Sequence, residues 1–393
     1  MHIVSSEAGL LCPPARLPAG PTRSTRRFNG QVTTRSCDAR RRAAPQRRRA
    51  GPIPGVLIPR MKAIVCDRYD APDAFRLEDV EKPTPQDNEV LIQVRAVSVN
   101  AYDWGLMRGR PAFTRLFLGL RRPKATRCGR DVAGRIEAVG RRVTQFAPGD
   151  DVFGLCRGSL AEYACAAESS LAAKPANVSF ESAAAIPLAG LTALQGLRDA
   201  GRIQPGQRVL INGAAGGVGT FAVQIAKSFG AHVTGVCSTR SVEMVRSIGA
   251  DHVVDYTRAD FTRSGQRYDV IFDLVANHAF SAYRRVLNPR GILVAAGVGG
   301  ADGRGFGRRV YRMLSGLLIS RFVSQRMVFF MARVKHDDLV ILGGFLASGQ
   351  VTPVIDSRHR LNETSEAFRR LAQGHAQGKI VVAVDRNGTL AEA

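Results

Sequence analysis

The spacing of hydrophobic positions changes twice along this chain. Residues 1–60 hold no sustained helical or strand period. From Met61 to about Pro175, short apolar segments at Lys62–Val65, Glu89–Ala96, Asp131–Val139 and Asp151–Gly154 are separated by turn signals such as Pro83-Thr-Pro-Gln-Asp-Asn88 and Pro148-Gly-Asp150. This pattern predicts an all-β domain. Further on, strands alternate with helices: Arg208–Asn212, then Val218, Phe221, Ala222, Ile225 and Ala226 on one helical face stopped by Gly230, then a strand at Ala231–Val236. A helix at Ser241–Ile248, strands at His252–Val254 and Tyr268–Val275, a helix around Phe280–Leu287 and a strand at Gly291–Val298 continue the alternation. It predicts a doubly wound parallel sheet.

The junction of the first such strand with its helix carries the clearest chemistry. Asn212 is followed by Gly213-Ala-Ala-Gly-Gly-Val-Gly219, and the first turn of a helix presents N–H groups without intrahelical acceptors where a pyrophosphate is stabilised. Gly213 makes the tight turn, Gly216 and Gly217 leave room for phosphates, and Gly219 lets the helix pack closely. Gly213, Ala214, Gly216, Gly217, Val218 and Gly219 are therefore candidate cofactor residues. An acid at the end of the second strand would select NAD by its ribose hydroxyl. That strand instead ends Cys237-Ser-Thr-Arg240; Ser238 and Arg240 suit a 2′-phosphate and point to NADPH over NADH. The alternative makes Ser238 a helix cap and Arg240 a solvated charge.

Composition adds one anomaly. The formal charge is +23 over 393 residues, and residues 1–60, with twelve Arg, no Lys, one Asp and one Glu, supply +10 of it. This leader includes Arg40-Arg41-Arg42 and Arg47-Arg48-Arg49 and reads as disordered. We expect Met61 to open the folded protein and the leader to be an extension. A transit peptide fits the Arg content and low acidity but not the prolines, and a nucleic-acid arm fits only the charge. The seven cysteines are odd in number and form no CxxC pair, so neither a disulfide framework nor a metal knuckle is indicated, and a reducing, cytoplasmic setting is expected. No membrane span is expected. The apolar stretch Val310–Met331, broken by Arg312, Arg321 and Arg326, reads as an amphipathic surface or interface helix pair.

Several motifs now combine: Val97-Ser-Val-Asn100-Ala-Tyr-Asp103-Trp, Gly129-Arg-Asp131-Val-Ala-Gly134, Pro148-Gly-Asp150 and Asn212-Gly-Ala-Ala-Gly-Gly-Val-Gly219. Together they resemble the medium-chain dehydrogenase/reductase superfamily, and within it the zinc-free quinone oxidoreductase branch. The resemblance spans Met61 to about Val384. It implies an α/β protein: a GroES-like catalytic domain (61–180), a Rossmann domain (181–326) and a last segment (327–393) returning to the first. It also implies a homodimer. Relatives that use zinc carry a catalytic Cys where this chain has Asn100 and a His-Glu pair where it has Arg130-Asp131. No Cys, His or acid lies between Ser182 and Leu197 to offer a third ligand, so no zinc is expected.

Without a Lewis acid, reduction of a conjugated C=C or a quinone is the easier chemistry, because hydrogen-bond donors alone can stabilise an enolate. The resemblance makes Asn100 a candidate holder of the carbonyl oxygen or the nicotinamide ribose, and Tyr102 a candidate proton donor. The family often places Tyr where Gly105 stands, so Tyr102 departs from the pattern. Asp103 reads as a helix cap. Thr192, Tyr256, Gly297, Phe330 and Lys379 fall where the resemblance places further cofactor contacts, although Thr192 and Phe330 also read as interior residues. Alcohol-dehydrogenase activity, and a weakly catalytic nucleotide-binding protein whose leader holds a polyanion, are the alternatives. Nucleic acid is not the expected partner.

Overall fold

Segments punctuated by Pro and Gly turns do become strands. The computed structural model describes residues 59–69, 72–109, 115–123, 126–296 and 306–384; the Arg-rich leader and Gly297 lie outside them. Strands β1 (Arg60–Cys66) and β2 (Phe75–Glu81) form an antiparallel pair. Next come β3 (Glu89–Val99), the short helices α1 (Ala101–Met107) and α2 (Arg115–Leu118), β4 (Asp131–Val139), β5 (Asp151–Leu155), β6 (Tyr163–Ala167) and β7 (Leu171–Ala173). Helices α3 (Phe180–Ala185) and α4 (Pro187–Gln195) lead into β8 (Arg208–Asn212), α5 (Gly219–Ser228), β9 (His232–Cys237), α6 (Val242–Ser247), β10 (His252–Asp255), β11 (Tyr268–Asp273), α7 (Phe280–Val286), β12 (Leu287–Ala295), α8 (Phe306–Ile319) and β13 (Arg326–Phe329). The chain closes through α9 (His336–Ala347), β14 (Ile355–Arg360), α10 (Thr364–Ala372) and β15 (Lys379–Ala383).

Two large sheets result. The first runs β14-β15-β3-β4-β5-β7 with β6 also paired to β3, so the last strands of the chain return to the first domain. In the second, β10-β9-β8-β11-β12-β13, every neighbouring pair is parallel. Its order reverses between β8 and β11, and that switch point opens a crevice at the carboxyl ends of the strands. One apolar cluster runs from Phe153 through Ala184, Leu191 and Leu194 to Phe221 and Phe272, so the two sheets share a continuous core through α3 and α4. Burial on this scale fixes the crevice walls in place.

Two expectations from the sequence are corrected. Val310–Met331 is not a helix pair: α8 ends at Ile319, and β13 follows as an edge strand on β12, with Val328 opposite Val294. Val328 and Phe329 favour extended backbone, and Gly316 of α8 leaves space where a side chain would strike Met327 Sδ at 2.4 Å. The boundary at 326/327 accordingly moves past Phe329, because β13 belongs to the parallel sheet. The boundary at 180/181 falls at α3, a helix packed on β3, β4 and β15 of the first sheet.

Candidate functional site

The glycine turn is built by steric necessity. Gly213 has φ +92°, and a side chain there would meet Val275 Cγ2 at 2.9 Å. Its N–H and that of Ala214 both donate to Val236 O, at 3.2 and 3.0 Å, tying the turn to β9. At Gly216 the nearest atom to an added Cβ would be Gly213 O at 3.5 Å, so the cradle is open there. Gly217 serves a different neighbour from the phosphates the sequence suggested: its missing side chain admits Lys379 Cδ (3.1 Å) and Gly378 O (3.3 Å). Gly219 packs on the turn itself, since its Cβ would stand 2.1 Å from Gly213 O. Val218 precedes α5, and its carbonyl accepts from Ala222 N–H at 2.9 Å. Near the start of the helix, Thr220 Oγ1 is buried without a hydrogen-bond partner.

The segment His375–Lys379 runs along the crevice and touches each part of the site. Arg240, at the strand end after β9, donates from Nη2 to His375 O at 2.7 Å, and Gln377 Nε2 donates to Arg240 O and Ser241 Oγ at 3.0 and 2.9 Å. Gly378 N–H donates to Ala215 O at 2.9 Å, and Gly378 bridges Gly216. Lys379 then passes beneath Gly217 into the first domain. Ser238 is half-buried and Arg240 exposed. An acid does lie nearby, on β10: Asp255 stands opposite Cys237 in register. Its carboxylate accepts from Thr239 Oγ1 (2.6 Å) and from Thr257 Oγ1 and N (2.8 and 3.0 Å), and these bonds hold its pKa below the usual carboxylate range.

At the other end of the segment is a buried ionic cluster. Lys379 Nζ donates to Asn100 Oδ1 at 2.5 Å and lies 3.5 Å from Asp131 Oδ2, with the Lys379 and Asp131 side chains 2% and 0% exposed. Asn100 Nδ2 donates to Asp131 Oδ2 at 2.9 Å and lies 3.3 Å from Asp103 Oδ2. Ser98 Oγ also donates to Asp131 Oδ2, at 2.5 Å, and Leu188 N–H of α4 donates to Asp131 Oδ1 at 2.9 Å. Asp103 caps α1 by accepting from Asn100 N–H at 3.1 Å. Burial, reinforced by the charge of Asp131, pushes the Asp103 carboxyl up to about 7. Burial pushes the Lys379 ammonium down, against the pull of Asp131 and Asp103. A buried charge persists only when paired and hydrogen-bonded, as Lys379 and Asp131 are here.

Comparison with known proteins accords with this layout. Residues 86–176 match the alcohol dehydrogenase GroES-like domain family, and residues 248–382 the zinc-binding dehydrogenase family. A chloroplast quinone oxidoreductase from Triphysaria versicolor is 33% identical over 339 residues, spanning 82% of this chain and 98% of that protein. An Arabidopsis thaliana protein named NADPH-dependent alkenal/one oxidoreductase is 33% identical over 337 residues, 82% of this chain and 79% of its own. The structure of the quinone oxidoreductase from Coxiella burnetii superposes with a TM-score of 0.73 at 28% identity, covering 83% of this chain and all of that one. The chain belongs to the medium-chain dehydrogenase/reductase superfamily. As a member, it is an oxidoreductase with a GroES-like domain and a Rossmann-like parallel sheet.

In this medium-chain dehydrogenase/reductase, the remaining candidates are distributed unevenly. Asn100 and Lys379 meet, although the sequence associated Lys379 with the cofactor and not with Asn100. Tyr102 is 47% exposed on α1, beneath the Arg130 guanidinium, 5.7 Å from ring centroid to Cζ. The Thr192 hydroxyl is turned back to Leu188 O at 2.7 Å within α4. Tyr256 is exposed after β10, and Phe330 packs half-buried after β13 with its N–H on Ala295 O at 3.0 Å. Sequence reasoning missed Ser98 as a participant. Its one signal was a lone hydroxyl between Val97 and Val99 on a fully apolar strand end.

Proposed function

We propose that this chain is an NADPH-dependent, zinc-free reductase that delivers hydride to an activated C=C bond or a quinone. The observation that carries this reading is the Lys379 ammonium bonded to Asn100 and close to Asp131. A catalytic zinc needs at least three N, S or O donors. Asn100 and Asp131 instead face a fixed cation of the protein's own, and no group of three or more His, Cys, Asp or Glu suited to a metal gathers among the described residues. This donor set does not fit zinc.

The glycine turn does fit a dinucleotide. Open space at Gly216, the strained turn at Gly213 and the N-terminus of α5 would hold the pyrophosphate. Ser238 and the exposed Arg240, whose guanidinium donates to a neutral carbonyl at His375, would take the 2′-phosphate. When bound, NADPH supplies a hydride to the electron-poor carbon of the acceptor. Asn100 is the N-cap residue of α1 and Tyr102 lies in its first turn, where Asn100 fixes the local backbone and Tyr102 offers a phenol for protonation. Thr192, Tyr256, Phe330 and Gly297 complete the proposed cofactor contacts. Names of relatives support the acceptor class, among them quinone oxidoreductase and NADPH-dependent alkenal/one oxidoreductase.

Tyr311, Leu314, Leu318 and Phe322 are exposed at a three-to-four-residue spacing along and just beyond α8, which supports a homodimer that covers them. Some relatives carry names marked chloroplastic or mitochondrial. An organelle address in the leader is the alternative to the cytoplasm, and sequencing the N-terminus of the natively expressed protein separates the two. The decisive assay follows NADPH absorbance with a panel of quinones and enones. Turnover of at least one acceptor is expected, together with a KM for NADPH well below that for NADH and a loss of this preference in Arg240→Ala. Tight NADPH binding without turnover of any acceptor would overturn the reading.

A further inference from the structure

Arg130 is a cation without an anion. Its Nε is buried and has no hydrogen-bond partner, and no carboxylate pairs with its guanidinium among the described residues. Two other part-buried arginines are matched by carboxylates: Arg198 with Asp338 at 2.7 Å and Arg370 with Asp356 at 2.9 Å. Asp131, next in the chain, spends its oxygens on Ser98, Asn100, Leu188 and Lys379. Cys156, whose N–H donates to Arg130 O at 2.9 Å, is no anion either, because burial pushes its thiol up to about 12. A half-buried guanidinium with an orphaned N–H costs stability, and it persists where something outside the chain completes it.

Its guanidinium lies over the Tyr102 ring, which is half in solvent. Two segments supply both this pair and the buried cluster. Asn100 and Asp131 turn inward to Lys379, while Tyr102 and Arg130, their near neighbours in sequence, stay at the surface of the same site. A guanidinium set over an exposed aromatic ring matches a planar ligand that carries an oxyanion: the oxygen meets the guanidinium and the flat conjugated system lies along the ring.

We propose that Arg130 and Tyr102 form the oxyanion-binding half of the substrate site and select flat, conjugated acceptors whose oxygen gains negative charge. This rests on the reductase reading given above, with Arg130 in the role of the charge-stabilising donor that the fully engaged Asn100 amide does not fill. The direct probe is 4-nitrophenol, a planar molecule whose phenolate absorbs strongly. Wild-type protein is expected to bind the phenolate in preference to the phenol and so lower the apparent pKa of the bound probe. Arg130→Gln should weaken phenolate binding at least tenfold and abolish that shift, Arg130→Lys should retain part of it, and Tyr102→Leu should weaken phenol and phenolate alike. NADPH affinity, measured on each variant, should stay at the wild-type value, and the thermal midpoint of Arg130→Gln should not fall below that of wild type. Phenolate binding unchanged in Arg130→Gln, or absent from wild type at millimolar probe, would overturn the proposal. Arg130-dependent phenolate binding in a protein that turns over no enone or quinone would uphold the anion site and defeat the reductase reading instead.

Discussion

Replacing Lys379 by Met tests how much the buried ionic cluster stabilises the fold. The aliphatic stem that passes under Gly217 is largely kept, with Cδ standing 3.1 Å from where a side chain on Gly217 would begin; the charge alone is lost. Asp131 is then left fully buried without its cation, and Asn100 Oδ1 loses its donor at 2.5 Å. Breaking a buried pair from one side costs about 3–5 kcal/mol. Asp131 keeps the bonds from Ser98, Asn100 and Leu188, which places the expected loss near the lower end, at about 3 kcal/mol. Adding Asp131→Asn removes the stranded charge, so the double variant should recover at least about 1 kcal/mol of what the two single changes sum to. Urea midpoints of the four proteins, measured without NADPH, give this coupling directly. A Lys379→Met variant within about 0.5 kcal/mol of wild type, or strictly additive changes, would refute the reasoning. A weakened NADPH affinity with unchanged stability would return Lys379 to the cofactor role read from the sequence.

Further expectations concern the turn and its neighbouring acid. Gly216→Ala should leave the thermal midpoint within a degree or so of wild type yet weaken NADPH binding at least tenfold, because its Cβ enters only the open cradle. Gly219→Ala should lower the midpoint sharply, since its Cβ overlaps Gly213 O; equal behaviour of the two variants in melting and NADPH titration would contradict the division of labour among these glycines. Asp103, with its folded pKa raised to about 7 from 3.8, contributes stability that is complete below about pH 4 and lost as pH rises through 7. Asp103→Asn keeps a carbonyl for the Asn100 N–H and removes that titration. Relative to wild type it should gain about 2 kcal/mol between pH 5 and pH 8 in denaturant titrations. A difference that does not change with pH would exclude Asp103 as the titrating group.

Local rules make much of this protein legible in its sequence. Period-two apolar runs ending at Pro and Gly mark the strands of the first sheet, and the alternation from Arg208 onward marks the parallel one, because backbone preference and one-sided burial act over a few residues. The turn at Gly213–Gly219 is visible for the same reason: glycine is demanded where φ is positive or two backbones touch, and both conditions are local. The same rules fail at Val310–Met331, where an amphipathic pattern covers both α8 and β13 and only pairing with β12 decides that the second half is extended. What lies outside local reach is the company each candidate keeps. Asn100 and Lys379 are 279 residues apart, and β15 must return beside β3 before the ammonium can reach the amide. Asp255 acquires its place opposite Cys237 through sheet order, and Gly217 its neighbour through the bridge between Gly216 and Gly378. Residue type determined which groups can carry charge or donate a proton. Which of them are buried, paired or left waiting for a ligand, as Arg130 is, depends on solvent exclusion and distance, and those quantities exist only once the chain has closed on itself.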